Sequence, residues 1–276
     1  MLPFLLVAAL LADGAQNPAK LVPPPPPADL ATLLAADPAA DKAAAERLLS
    51  ENGVPTEKRK VAAAALAKAT DRSERAVVLD AISSCAGGCG ATRDLADLLV
   101  SMATDCADDA AAMQRLAAAA ADPANPAHLA ACRTIAAMPE AKRPEAHRAL
   151  AVRTVAMKTI PGAMQYDVKE VKAKPGEILE ITLENTDTMQ HNLLLVMPGK
   201  MSEVGVAADK MGETAAGKAC HFVPESPAVI AVMGLVDPGK TGRLFLEVPQ
   251  KPGTYQYVCT YPGHWRMMNG KLKVAK

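Results

Sequence analysis

The apolar positions change their period once along this chain. From residue 28 to about 157 they recur at helical spacing, as in Ala76, Leu79 and Ile82 and in Leu95, Leu98, Leu99 and Met102. Polar breaks divide this stretch into predicted helices at about 28–36, 39–51, 55–69, 72–85, 91–104, 107–121, 126–138 and 140–157. Pro55, Pro126 and Pro139 stand where a first helical turn accepts proline, because the missing N–H would lack an intrahelical partner there anyway. Asp71, Thr92 and Asn125 are placed to cap helix starts. Short helices joined by short turns predict an Ala-rich all-α helical-hairpin domain stacked in the HEAT manner, with an irregular bundle as the alternative.

From Met164 onward the pattern alternates. Ile178 to Glu184, Asn192 to Met197, Leu244 to Val248, Thr254 to Cys259 and Lys271 to Val274 read as strands. Pro-Gly pairs at 175–176, 198–199, 238–239, 252–253 and 262–263 supply the turns between them. Such a density of short strands predicts a Greek-key β-sandwich over 163–276, interrupted by a short helix within 200–218. The fold class is therefore multidomain α plus β, with a helical domain over 28–157 ahead of the sandwich. At the other end, Leu2 to Ala12 is apolar except for Pro3 and too short to span a bilayer. It reads as a signal peptide over 1–14, followed by a Pro-rich linker over 15–27 whose prolines 23–27 form a polyproline II spacer. No later segment reaches about 18 uninterrupted apolar residues, so the expectation is a periplasmic or otherwise exported protein that does not span a membrane.

Composition sharpens the division. Only Phe4 among the eight aromatic residues precedes Tyr166. Lys+Arg 30 against Asp+Glu 30 leaves no net charge, which excludes the basic footprint of a nucleic-acid binder. Residues 28–157 carry 15 basic and 17 acidic side chains, so they generate no strong steering field.

The chemistry concentrates in Cys259-Thr-Tyr-Pro-Gly-His264-Trp-Arg-Met-Met268-Asn-Gly270, with His191 upstream in Met189-Gln-His-Asn. Tyr255, Tyr257 and Cys259 share one strand face, and the Pro262-Gly263 turn lets His264 fold back towards Cys259. Met268 follows four residues later, and a sandwich can bring His191 in from a neighbouring strand. A thiolate, two imidazoles and a thioether suit copper in both oxidation states, because sulfur favours Cu(I) while imidazole accommodates Cu(II). A binuclear copper site would need a second cysteine where Gly263 stands. Cys85 and Cys89 have that spacing, but Arg93 occupies the place of the required histidine. Five histidines in all are too few for a multicopper oxidase, and no Cys-x-x-Cys-His motif offers a haem attachment. Zinc could use a Cys-His₂ set, but the methionine argues for copper.

These motifs resemble the azurin and auracyanin branch of the cupredoxins, the blue (type 1) copper proteins, over roughly residues 163–276. The resemblance implies one copper ion with His191, Cys259 and His264 as equatorial ligands and Met268 as the axial ligand. It also implies hydrogen bonds to the cysteine sulfur from the backbone N–H groups of Asn192 and Tyr261. The backbone carbonyl that approaches the metal in azurin falls at Gln190, where azurin has glycine. Azurin's disulfide near the start of the domain has no counterpart.

The remaining chemistry is structural. Cys85, Cys89, Cys106 and Cys132 read as two disulfides of unspecified pairing, Cys220 as a buried thiol, and His128 and His147 as solvated helix residues. The expected function is one-electron transfer with redox partner proteins, without enzymatic catalysis. His264 is the expected exit, ringed by Pro262, Trp265 and Met267. Two other readings stay open: a copper-binding or storage module without redox turnover, and a helical scaffold that docks a partner.

Overall fold

The structure, a computed structural model, describes residues 26–84 and 90–275. The expected signal peptide, nearly all of the Pro-rich linker, Cys85 and Cys89 lie outside the described residues.

Eight α-helices occupy the first half of the described residues: α1 (Leu30–Ala35), α2 (Lys42–Ser50), α3 (Thr56–Thr70), α4 (Glu74–Ser84), α5 (Gly90–Ser101), α6 (Ala103–Ala107), α7 (Ala110–Ala121) and α8 (His128–Ala137). Asp41 and Asp109 cap α2 and α7, each accepting at 3.0 Å from the N–H three residues on. The Asp109 cap separates α7 from α6, so the helix expected over 107–121 starts later than its apolar spacing indicates. Leu48, Ala62, Val78, Ile82, Leu95, Leu99, Leu116, Ala131 and Ile135 meet in one core. Cys106 and Cys132 are buried in that core as free thiols, which corrects the expectation that they form disulfides. Cys106 serves as a small apolar filler.

The helix expected over 140–157 does not form. Pro139 and Pro144 each lead into a single 3₁₀ turn, at Glu140–Lys142 and Glu145–His147, and the chain then extends as strand β1 (Val152–Ile160). Val152, Thr154, Val155, Thr159 and Ile160 are β-branched and favour that extension. The sandwich therefore takes in residues ahead of 163.

The other strands are β2 (Gln165–Tyr166), β3 (Glu170–Ala173), β4 (Ile178–Glu184), β5 (His191–Val196), β6 (Val229–Val236), β7 (Thr241–Glu247), β8 (Gly253–Val258) and β9 (Asn269–Val274). One sheet has the order β2-β1-β4-β7 and the other β3-β9-β8-β5-β6. β1 runs parallel to β4 and β3 parallel to β9, while the other pairs are antiparallel. Leu179, Ile181, Leu183, Leu193, Leu195, Leu244, Leu246, Tyr255, Tyr257 and Leu272 fill the space between the sheets.

Strand β5 is buried along its whole length, because its outer face is covered too. The insertion after it folds as α9 (Met201–Met211) and α10 (Ala215–Ala219). Val204 of α9 packs with Leu194, Val196, Val258 and Trp265 as a second apolar core on that outer face. Glycine at 270 permits the inner packing: a Cβ there would lie 2.2 Å from the Tyr257 ring. Tyr257 crosses β9 at that point, and its hydroxyl donates to the Val168 carbonyl at 2.8 Å. Among the described residues, no helix is long and apolar enough to cross a membrane.

The helices contact the sandwich along β4 and β7. Ile178 joins the helical core. The Arg133 guanidinium lies 3.5 Å from the centre of the Phe245 ring and pairs with Asp97, whose other oxygen is 3.2 Å from Arg243. His128, expected to be solvated, instead places Nε2 3.1 Å from a Glu247 carboxylate oxygen. The Cys132 sulfur, 3.8 Å from the same nitrogen, and the Glu247 carboxylate raise His128 to about 10 against the opposing effect of burial. The His128 hydrogen bond in turn lowers Glu247 below the ordinary 4.5.

The sign of the resulting pH dependence follows from these shifts. The pair contributes fully between the unfolded values of 4.5 and 6.5, and its contribution declines as pH rises, disappearing at about 10. Between about pH 6 and 9, the wild type should lose about 1–3 kcal/mol more stability than His128→Gln, measured by urea unfolding.

Candidate metal centre

The site lies at one end of the sandwich, where β5 begins and β8 ends. His191 is the first residue of β5 and Cys259 follows the last residue of β8. The loop after Cys259 is closed by its own backbone. His264 N–H donates to the Tyr261 carbonyl at 2.9 Å, Met268 N–H to the His264 carbonyl at 2.8 Å, and Cys259 N–H to the Met268 carbonyl at 2.9 Å. Gly263 makes the turn with φ of +84°, a conformation in which a Cβ is strained. These bonds return His264 and Met268 to the neighbourhood of the cysteine.

His191 Nδ1 lies 3.9 Å and His264 Nδ1 3.7 Å from the Cys259 sulfur. All three donor atoms fall within 4.8 Å of one another, and all three residues are buried. Met268 is buried in the same apolar cluster as Cys259, whereas Met267 is 54% exposed. Backbone N–H groups of Asn192 and Tyr261 hydrogen-bond the Cys259 sulfur. Burial nevertheless pushes the thiol up to about 12, since the two N–H groups only partly offset the loss of water. Burial, with a lesser contribution from neighbouring His191, pushes His264 down to about 4, and burial also lowers His191. Both imidazoles are thus neutral near pH 7, as ligands must be.

The surrounding polar groups orient these donors. Asn192 Oδ1 accepts from Thr260 N–H at 2.7 Å, and its Nδ2 donates to the Thr260 hydroxyl at 2.8 Å and to the His221 carbonyl at 2.7 Å. Asn192 therefore ties β5 to the Cys259 loop and to the segment after α10. In that segment His221 and Phe222 both have φ of +54°, and His221 Nδ1 accepts the Leu235 N–H of β6 at 2.7 Å. The Phe222 ring meets Tyr261 edge-on at 5.0 Å, and the Tyr261 ring lies 4.8 Å from that of His264 at 30°. Gln190 donates its side-chain amide to Asp237.

Two features differ from the expectation. Trp265 is no part of an exposed rim: it is 8% exposed, packs on α9, and donates through Nε1 to Asp209 at 2.9 Å. Cys220 is exposed and not buried. Two functional neighbours carry little sequence signal. Asp187 Oδ2 lies 3.2 Å from His191 Nε2 and is itself buried. Burial opposes its charge, but hydrogen bonds from Thr188 N–H, Gly162 N–H and His191 hold its carboxyl below the ordinary range. Its position four residues before His191 in Asn-Thr-Asp-Thr was the available clue. Asp209, on an insertion more than fifty residues from its partners, offered none.

One soft thiol sulfur and two neutral imidazole nitrogens, gathered in a water-poor pocket with a buried thioether beside them, fit a type 1 copper ion. Comparison with known proteins agrees. Residues 153–275 match the family model for copper binding proteins of the plastocyanin/azurin family. Auracyanin-A of Chloroflexus aurantiacus is 31% identical over 113 residues, which cover 40% of this chain and 67% of the relative. Azurin-2 of Alcaligenes xylosoxydans xylosoxydans is 33% identical over 122 residues, 41% of this chain and 91% of the relative. Outer membrane protein H.8 of Neisseria gonorrhoeae is 32% identical over 120 residues, 41% of this chain, and the match spans only 62% of that relative. With its donor cluster, its β-sandwich and these relatives, the chain belongs, through residues 153–275, to the plastocyanin/azurin family of copper-binding proteins.

Proposed function

We propose that this protein is an exported one-electron carrier in which His191 Nδ1, Cys259 Sγ, His264 Nδ1 and the Met268 thioether would hold one copper ion. The observation that carries this reading is the convergence of three unlike donors within 4.8 Å in a buried pocket. Copper bound there would supply one-electron chemistry by cycling between Cu(I) and Cu(II).

The protein's own residues hold the donors still and dry. Cys259 must lose its proton on binding, and the N–H groups of Asn192 and Tyr261 then stabilise the thiolate. Asp187 holds the N–H of His191 on Nε2, which leaves Nδ1 free as the ligand atom. His264 is only 3% exposed, so electrons leave through the covering Tyr261 ring and the rim of Pro262 and Met267. Exposed Met267 makes that rim apolar, which suits brief docking with redox partners. A pocket closed by its own side chains favours electron transfer over labile storage and over catalysis on a bound substrate. Residues 1–14 serve as the export signal in this reading, 15–27 as the linker, and the helical region as a separate domain beside the sandwich.

Added Cu(II) should give an intense visible band that ascorbate bleaches and ferricyanide restores, and Cys259→Ser should abolish the band. A colourless wild type that retains copper would remove Cys259 from the ligand set.

Because binding displaces the thiol proton, low pH opposes it. Copper affinity should rise about tenfold per pH unit from about pH 7 to 9, with one proton released per ion, measured by competitive titration and calorimetry.

Asp187→Asn keeps the side-chain shape and removes the charge that favours Cu(II). It should raise the reduction potential and weaken Cu(II) binding about tenfold, read by potentiometric titration.

A further inference from the structure

The loop between Cys259 and Met268 is held from outside the sandwich by one carboxylate. Asp209, near the end of α9, accepts three hydrogen bonds from it. Gly263 N–H donates to Oδ1 at 2.8 Å, and Trp265 Nε1 and Arg266 donate to Oδ2 at 2.9 Å each. These donors flank His264 on both sides.

The same face of α9 is shaped to receive the loop. Gly205, one turn before Asp209, faces the Trp265 ring so closely that a Cβ would lie 2.3 Å from it. The Arg266 guanidinium covers that ring 4.3 Å from its centre. Trp265 is thus pressed between a bare stretch of helix and a cation, with its polar edge on Asp209. Burial works against the Asp209 charge, yet the bonds from Trp265, Gly263 and Arg266 keep its carboxyl below the ordinary range.

We propose that Asp209, acting with Gly205 and Trp265, is a positioning residue of the metal centre: it clamps the loop to α9 and so fixes His264 Nδ1 relative to the Cys259 sulfur. This rests on the reading that the loop carries copper ligands. Asp209 remains partly open to water, so its charge is screened and its effect is geometric. A clamp that stands without the metal holds the donors in one arrangement for both oxidation states, and little then has to move when an electron arrives. The loop's internal bonds fix its turns but not its tilt, and Asp209 supplies the external reference.

Trp265 is the only tryptophan of the chain, so its emission reports directly on the clamp. The test uses the full chain with Asp209→Asn and Asp209→Ala, and with Gly205→Ala, which displaces the indole and keeps the carboxylate. In metal-free protein the variants should shift the tryptophan emission and raise amide exchange of residues 263–268 about tenfold, with exchange elsewhere in β5 and β8 unchanged. With copper they should bind one ion about tenfold more weakly, with an altered ratio of visible bands and slower electron self-exchange. Asp209→Asn, which keeps one acceptor oxygen, should fall between the wild type and Asp209→Ala. If the emission shows a released indole while loop exchange, copper affinity and band ratio stay at wild-type values, the clamp is wrong. If wild type itself gives no thiolate–copper band, the copper reading fails instead. The clamp is then judged on metal-free amide exchange, where an unchanged loop overturns it.

Discussion

The centre depends on a cysteine thiol placed where water cannot reach it. Cys259 sits at the end of β8 between two sheets, and nothing cationic faces it among the described residues. In such surroundings a free thiolate is strongly disfavoured, and two N–H groups are not enough to reverse that. A metal ion is the natural counter-charge. The neutral imidazoles of His191 and His264, 3.9 and 3.7 Å from the sulfur, supply the other two donor atoms. Folding thus brings three unlike donors together in a dry pocket, where a bound copper ion would supply the positive charge that favours the thiolate.

The position of that thiol requires much of the rest. β5 has to be buried on both faces, because His191 must point inward while Asn192 points outward to hold Thr260 and His221. The outward face needs a cover, and α9 supplies it through Val204. The same helix reaches the copper loop through Asp209. Covering a strand and bracing a ligand loop are two uses of one insertion.

Local chemistry was legible in the sequence, and distant chemistry was not. The Cys259–Gly270 run and His191 announced their cluster, since ligand type and spacing are local properties. Gly270 could be marked as part of a motif, but its reason, the crossing of Tyr257, needed the fold. Trp265 lies against α9 and not on the surface, because a helix from the insertion covers its loop and the loop's own sequence carries no sign of that helix. The Ala-rich texture runs on through 140–157 and reads as helix, whereas Pro139, Pro144 and the β-branched residues from Val152 onward carry the signal for turns and a strand. Cysteine pairing in the helices was inferred from an expected oxidising compartment, and packing decided otherwise for Cys106 and Cys132.

The left-handed pair His221 and Phe222 has a consequence beyond the metal. Strand β6 is the outermost strand of its sheet, and its sequence Val-Ile-Ala-Val-Met-Gly-Leu-Val is almost wholly apolar. A bare edge of this kind recruits strands from other molecules and seeds aggregates. His221 Nδ1 occupies the Leu235 amide, and its ring crowds Gly234 so closely that only glycine fits. An imidazole thus occupies one amide near the end of that edge, so the turn that helps anchor Asn192 also takes a hydrogen-bond donor from the edge of the sheet.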